Sequence, residues 1–157
     1  MVVPTRETFS ELLKERRISK RLVRDIRYVP EEITNSEDRD FIAVFNKSGN
    51  EGVLLFEGVV VPIERMKRSP NKAGRVEAII CDICATWQRG TNSAVLALRR
   101  SGERSSSYLV CADLDCSLHV RDLTDASKLS RAQLREHITV PDRIVRLCTR
   151  LRAICVE

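Results

Sequence analysis

Two pairs of cysteines constrain this chain more than any other feature. Cys81-Asp82-Ile83-Cys84 leaves a gap of two residues, and Cys111-Ala112-Asp113-Leu114-Asp115-Cys116 leaves a gap of four. A two-residue gap allows a tight turn to aim both sulfurs at one ion, and a four-residue gap also lies within the spacing of structural zinc sites. Together the pairs supply the four thiolates of one closed tetrahedral centre. Such a centre keeps no open position for water, which argues against hydrolytic zinc chemistry and for a structural Zn2+. Disulfides are the alternative in a secreted protein, and one pair as plain buried cysteine is another.

The 26 residues between Cys84 and Cys111 exceed what a compact ribbon needs. Ala94 to Leu98 and Tyr108 to Val110 read as two strands around the serine-rich stretch Ser101 to Ser107, a hairpin that returns the chain to the metal. Ahead of Cys81, Arg75 to Ile80 reads as a strand. Knuckle, hairpin, then a second pair at the head of a helix is the order of a treble-clef finger. Ser130 with Gln133 suggests a capping box, and Thr139 before Pro141 marks the start of a terminal helix with Ile144, Leu147, Leu151 and Ile154 at helical spacing. Cys148 and Cys155 fall on that helix and read as small core residues. His119, three residues after Cys116, is an alternative ligand that a complete four-cysteine shell leaves over, and His137 reads as a helix-surface histidine.

The first half has a different pattern. Thr8 with Glu11 suggests a capping box for a helix from residue 9, and Ser19 suggests a second short helix carrying Leu22, Val23 and Ile26. Phe41 to Phe45 and Val53 to Phe56 flank Lys47-Ser48-Gly49-Asn50 as a β-hairpin. Val59 to Val61 extend the strand character up to Pro62, which suits an edge or an end because it cannot donate to a ladder. Ser69 to Gly74 reads as a linker. The expected organisation is α+β: residues 1–70 as N-terminal helices plus a β-hairpin, and 75–157 as a treble-clef zinc-binding domain with a terminal helix.

Charge bears on partners. Residues 1–70 hold 13 Lys/Arg against 12 Asp/Glu, and residues 71–157 hold 14 against 10, so most of the net +5 sits in the cysteine-bearing half. That surplus suits an acidic protein surface or nucleic acid, and equally a solvated face. Aromatics are only 4% of the chain, which leaves few platforms for stacking bases. No nucleophile elbow, phosphate-cradling glycine loop or histidine cluster is present, so a binding module is expected before an enzyme or a small-molecule site. No apolar run reaches the roughly 18 residues of a membrane span. The start of the chain lacks a signal peptide's apolar centre, which predicts a cytoplasmic protein with no membrane partner.

The run Cys111-Ala-Asp-Leu-Asp-Cys-Ser-Leu-His-Val-Arg121, with Cys81-Asp-Ile-Cys84 and the closing Ile138-Thr-Val-Pro-Asp-Arg-Ile-Val-Arg-Leu147, resembles the C-terminal treble-clef domain of elongation-factor-G-binding proteins. The FusB-type fusidic-acid-resistance proteins belong to that family. The resemblance spans about residues 78 to 157. It implies one structural zinc on Cys81, Cys84, Cys111 and Cys116, and translation elongation factor G as the partner, with release of the factor from the ribosome as the further implication. It also places Arg121 at the end of the second motif, toward the partner or bracing the finger. Arg99 and Arg100 at the hairpin, and Arg143, Arg146 and Arg150 along the last helix, are the remaining candidates for partner contact. The rival expectation is a nucleic-acid-binding zinc finger. The FusB-type proteins carry a helical bundle ahead of the finger, where residues 40 to 63 here read as strands.

Overall fold

The computed structural model describes residues 1–16, 18–99, 105–134 and 136–156, with Arg99, Ser105 and Val156 described by backbone alone. The chain divides into two compact units. One comprises Met1–Arg65 with Ala97–Ser106, and the other Met66–Leu96 with Ser107–Glu157.

In the first unit, helix α1 (Arg6–Glu15) starts earlier than the Thr8-Glu11 pattern suggested. Thr5 is the N-cap, and its hydroxyl accepts from the Thr8 N–H at 3.2 Å, the reach an N-cap side chain has to the third helical residue. Helix α2 (Lys20–Asp25) is capped as expected by Ser19, whose hydroxyl accepts from the Leu22 N–H. Strands β1 (Phe41–Phe45) and β2 (Glu51–Phe56) form the expected hairpin, closed through a turn with Gly49 at φ 72°.

Strand β3 (Val59–Lys67) is the main departure here. It pairs antiparallel with β2 through Glu57 and Gly58, both at positive φ, the pattern of a type I′ turn. Pro62 therefore lies within a strand that is third in the sheet order, which runs β1, β2, β3, then β6 (Ser93–Arg99) and β7 (Ser105–Cys111). Counting alternately from the Phe56–Val59 pair that closes the turn, Pro62 faces Val53 where antiparallel partners exchange no hydrogen bonds. Its missing N–H thus removes nothing from the β2–β3 ladder.

The register puts Ile42, Leu55 and Val60 in one cross-strand row and Val44 beside Val53 in the next. Phe9, Leu13 and Leu22 from the two helices join these residues in one buried cluster. The paired basic helices thus serve as a cover for a sheet face, with Phe9 stacked on Tyr28 at 4.0 Å between ring centroids.

In the second unit, the strand expected over 75–80 shortens to β4 (Ile79–Ile80), which pairs with β5 (Trp87–Gln88). Residues 75–78 run outside any ladder, and Gly90 lies against the Val76 carbonyl. After β7 come α3 (Cys116–Val120), α4 (Asp125–Leu134) and α5 (Val140–Val156). Helix α4 starts five residues before Ser130. Its first turn is held by Thr124, whose hydroxyl accepts from the Ser127 N–H at 3.2 Å. Ser130 is buried mid-helix instead, and its hydroxyl accepts from the Trp87 N–H at 2.8 Å, tying α4 to β5. Thr139 begins α5 as expected, accepting from the Asp142 N–H and donating to the Asp142 carboxylate. Helix α5 packs on α3 and buries Leu147, Leu151 and Ile154, while Ile144, Cys148 and Cys155 are only half-buried. No described helix is long and apolar enough to cross a membrane.

Candidate metal centre

Each thiol arrives on a different local device. Cys81 follows β4, and the turn to Cys84 closes when the Ala85 N–H donates to the Cys81 carbonyl at 2.8 Å and the Cys81 N–H donates to the Thr86 carbonyl at 2.9 Å. Ala85 takes the left-handed conformation, φ 59°, that this reversal requires. Cys111 is the last residue of β7. The chain then turns with the Leu114 N–H donating to the Cys111 carbonyl, and Cys116 opens α3. This is the treble-clef order that the spacing predicted.

All four cysteines are buried, at 0 to 1% exposure, and their sulfurs lie within 4.8 Å of one another. Cys81 and Cys116 are 3.8 Å apart, and Cys84 and Cys111 3.6 Å. A tetrahedral ion with Zn–S bonds of about 2.3 Å has sulfur–sulfur edges of about 3.8 Å. The donor set therefore fits one structural Zn2+.

Electrostatics agree with that fit. Cys116 is pushed well above the ordinary thiol range by hydrogen bonding among Cys111, Cys81 and Cys84 and by burial. Burial raises Cys81 as well, yet hydrogen bonds from Cys111, Cys116 and Cys84 bring it well below that range. Buried sulfurs in such contact cannot all carry charge unless a cation compensates them.

Around the sulfurs lies a polar layer of which the sequence singled out His119 alone. Thr86, Gln88 and His119 are 1 to 3% exposed. The Thr86 hydroxyl is 2.8 Å from Cys84 Sγ, and Gln88 Nε2 donates to that hydroxyl at 3.0 Å. Asn92 bonds both Gln88 and Asp113. His119 is no fifth member of the cysteine cluster: its Nδ1 is 2.7 Å from the Thr124 hydroxyl and its Nε2 3.4 Å from Asp113 Oδ1. Burial raises Asp113, but His119, the Asp115 N–H and Asn92 outweigh it and hold the carboxyl below its ordinary range. The available signal was modest, a polar residue two positions after the knuckle and another two beyond it.

The arginines part company. Arg143 is 4% exposed and closes on Asp122 through two bonds of 2.9 and 2.7 Å. It stands four residues before Leu147 and so shares the buried stripe of α5. Arg146 is paired with Glu136 at 2.6 Å, and Arg150 donates to the Asp82 carbonyl in the knuckle. Arg121 follows α3 and donates back to the Ser117 carbonyl, a bracing contact. Arg100 and the Arg99 side chain lie outside the described residues.

A family model described as the FBP C-terminal treble-clef zinc-finger matches residues 28–157. The match begins well ahead of the cysteine half that carried the sequence resemblance and includes the strands β1 to β3. No curated protein and no solved structure matches the chain.

Proposed function

Because the chain belongs to the family of FBP C-terminal treble-clef zinc-fingers, we propose that it is a binding protein that docks on translation elongation factor G and performs no chemistry of its own. The family match over 28–157 is the observation that carries this reading. It is supported by the Cys111 to Arg121 run, whose resemblance to elongation-factor-G-binding proteins is far more specific than two bare cysteine pairs. A closed four-thiolate centre suits a finger that shapes a surface rather than one that activates water. The setting is the cytoplasm, where the factor works, and release of the factor from the ribosome is the consequence of docking. Arg146, Arg150 and Arg121 form the proposed basic contact. Arg143 is already committed to Asp122.

The test is direct titration of the zinc-loaded protein against purified, nuclease-treated elongation factor G, followed by calorimetry or sedimentation. Saturable binding that survives moderate salt is the expected result. No binding to the factor, combined with binding to RNA or duplex DNA that weakens steeply as salt rises, overturns it in favour of a nucleic-acid-binding finger.

A further inference from the structure

The polar layer beside the sulfurs has a single direction, and one backbone group sets it. The Asp113 N–H donates to Asn92 Oδ1 at 3.2 Å, and a backbone amide can only donate. This fixes which end of the Asn92 amide is oxygen, so Asn92 Nδ2 donates, at 3.0 Å to Gln88 Oε1 and at 2.7 Å to Asp113 Oδ2. Gln88 is fixed in turn, and its Nε2 donates to Thr86 Oγ1 at 3.0 Å. Thr86 then accepts at its oxygen and has one hydrogen left to give. Cys84 Sγ stands 2.8 Å away, whereas Cys111 Sγ is 3.9 Å away, so a Cys84 thiolate, which can only accept, takes that hydrogen.

We propose that Thr86, aimed by Gln88 and Asn92, is a positioning residue that donates a hydrogen bond to the Cys84 thiolate and thereby tunes its bond to zinc, making the four sulfurs chemically unequal. A thiolate that accepts a hydrogen bond gives less charge to its metal, but the same bond favours the thiolate over the protonated thiol and holds it in place for the ion, so that losing an outer partner of this kind typically costs about 10- to 100-fold in metal affinity. Links that run in one direction also polarise each other, so the effect at sulfur exceeds that of an isolated hydroxyl. The relay starts at Asp113, two residues after Cys111, and ends at Thr86, two residues after Cys84. It therefore couples the two ligand loops through groups other than the metal.

The experiment uses the full chain loaded with Co2+ in place of Zn2+, because sulfur-to-cobalt charge transfer reports the electron density on the thiolates. Thr86→Val removes the hydroxyl and keeps the branched shape. Its charge-transfer band is expected to move to lower energy, and its zinc affinity, measured by competition with a chelator, to fall by about 10- to 100-fold. Thr86→Ser, which keeps the donor, is expected to restore the wild-type band. A Thr86→Val spectrum that superimposes on wild type, or a Thr86→Ser spectrum that matches Thr86→Val, overturns the proposal. Should Thr86→Val not take up metal, Thr86→Ala is read in the same way against Thr86→Ser, with the same two results overturning it.

Discussion

Arg143 and Asp122 form a two-pronged ion pair at 2.9 and 2.7 Å, with the guanidinium buried and the carboxylate about one-fifth exposed. The pair joins α5 to the turn after α3, where Asp122 adopts a left-handed φ of 61°. Arg131 adds a second cation to the same carboxylate at 3.0 Å. Asp122→Asn keeps the side-chain shape and tolerates that backbone, so it isolates the charge. It leaves Arg143 buried without its counter-ion, and a loss of about 3 kcal/mol is expected in chemical denaturation of the zinc-loaded protein.

The same pair predicts an acid response. Hydrogen bonding from Arg143 holds the Asp122 carboxyl below its ordinary range, outweighing burial. A depressed folded value means that the stabilisation is present above the unfolded carboxylate range, about 3.9, and fades as pH falls through the lower folded value. In denaturation curves taken across acidic pH, Asp122→Asn is expected to lack this component. Parallel wild-type and variant curves would contradict the assignment.

Cys111→Ser removes a ligand from the centre of the second unit. Structural zinc contributes on the order of 10 kcal/mol of folding free energy, more than a unit of this size holds in reserve. The variant is expected to lose its metal, read by native mass spectrometry, and the circular dichroism of α3 to α5. Full metal content with unchanged thermal stability would remove Cys111 from the ligand set.

Alkaline titration tests the first unit separately. Tyr28 is pushed up to about 12 by burial and, secondarily, by the charge of Glu31. Its hydroxyl donates to the Pro4 carbonyl at 2.7 Å. A raised folded value gives stability that is complete below the ordinary tyrosine range, about 10, and is lost as pH climbs toward 12. Absorbance titration is expected to show one late-ionising tyrosine that disappears in Tyr28→Phe.

Gly90 is a steric test of the loop that carries Asn92. A Cβ at this position would sit 1.8 Å from the Val76 carbonyl oxygen, a backbone atom with no rotamer to escape into. Gly90→Ala is expected to destabilise the second unit by about 2–3 kcal/mol, measured as a lower denaturation midpoint with zinc in excess. A midpoint equal to wild type would show that this segment moves freely.

Local patterns were legible where a residue's role depends on its immediate neighbours. Ser19 and Thr139 cap their helices because a side chain needs only its own next turn, and the β1–β2 hairpin follows from two apolar runs around Gly49. The same logic misplaced two helix starts, since Thr5 and Thr124 can cap as well as Thr8 and Ser130. The β2–β3 turn was missed because Glu57 is an uncommon residue for positive φ, and Pro62 appeared to end a strand it merely occupies.

By itself the sequence determined the ligand set: four thiols at gaps of two and four residues are a chemical statement that needs no coordinates, and so is the family that their surroundings resemble. Only the tertiary structure decided which polar residues stand behind those sulfurs and which arginine is buried. Thr86, Gln88 and Asn92 follow Cys84 within eight residues, but Asn92 meets Asp113 and Arg143 meets Asp122 each across 21 residues. Such partnerships depend on distances between segments remote in the chain, which no local spacing encodes.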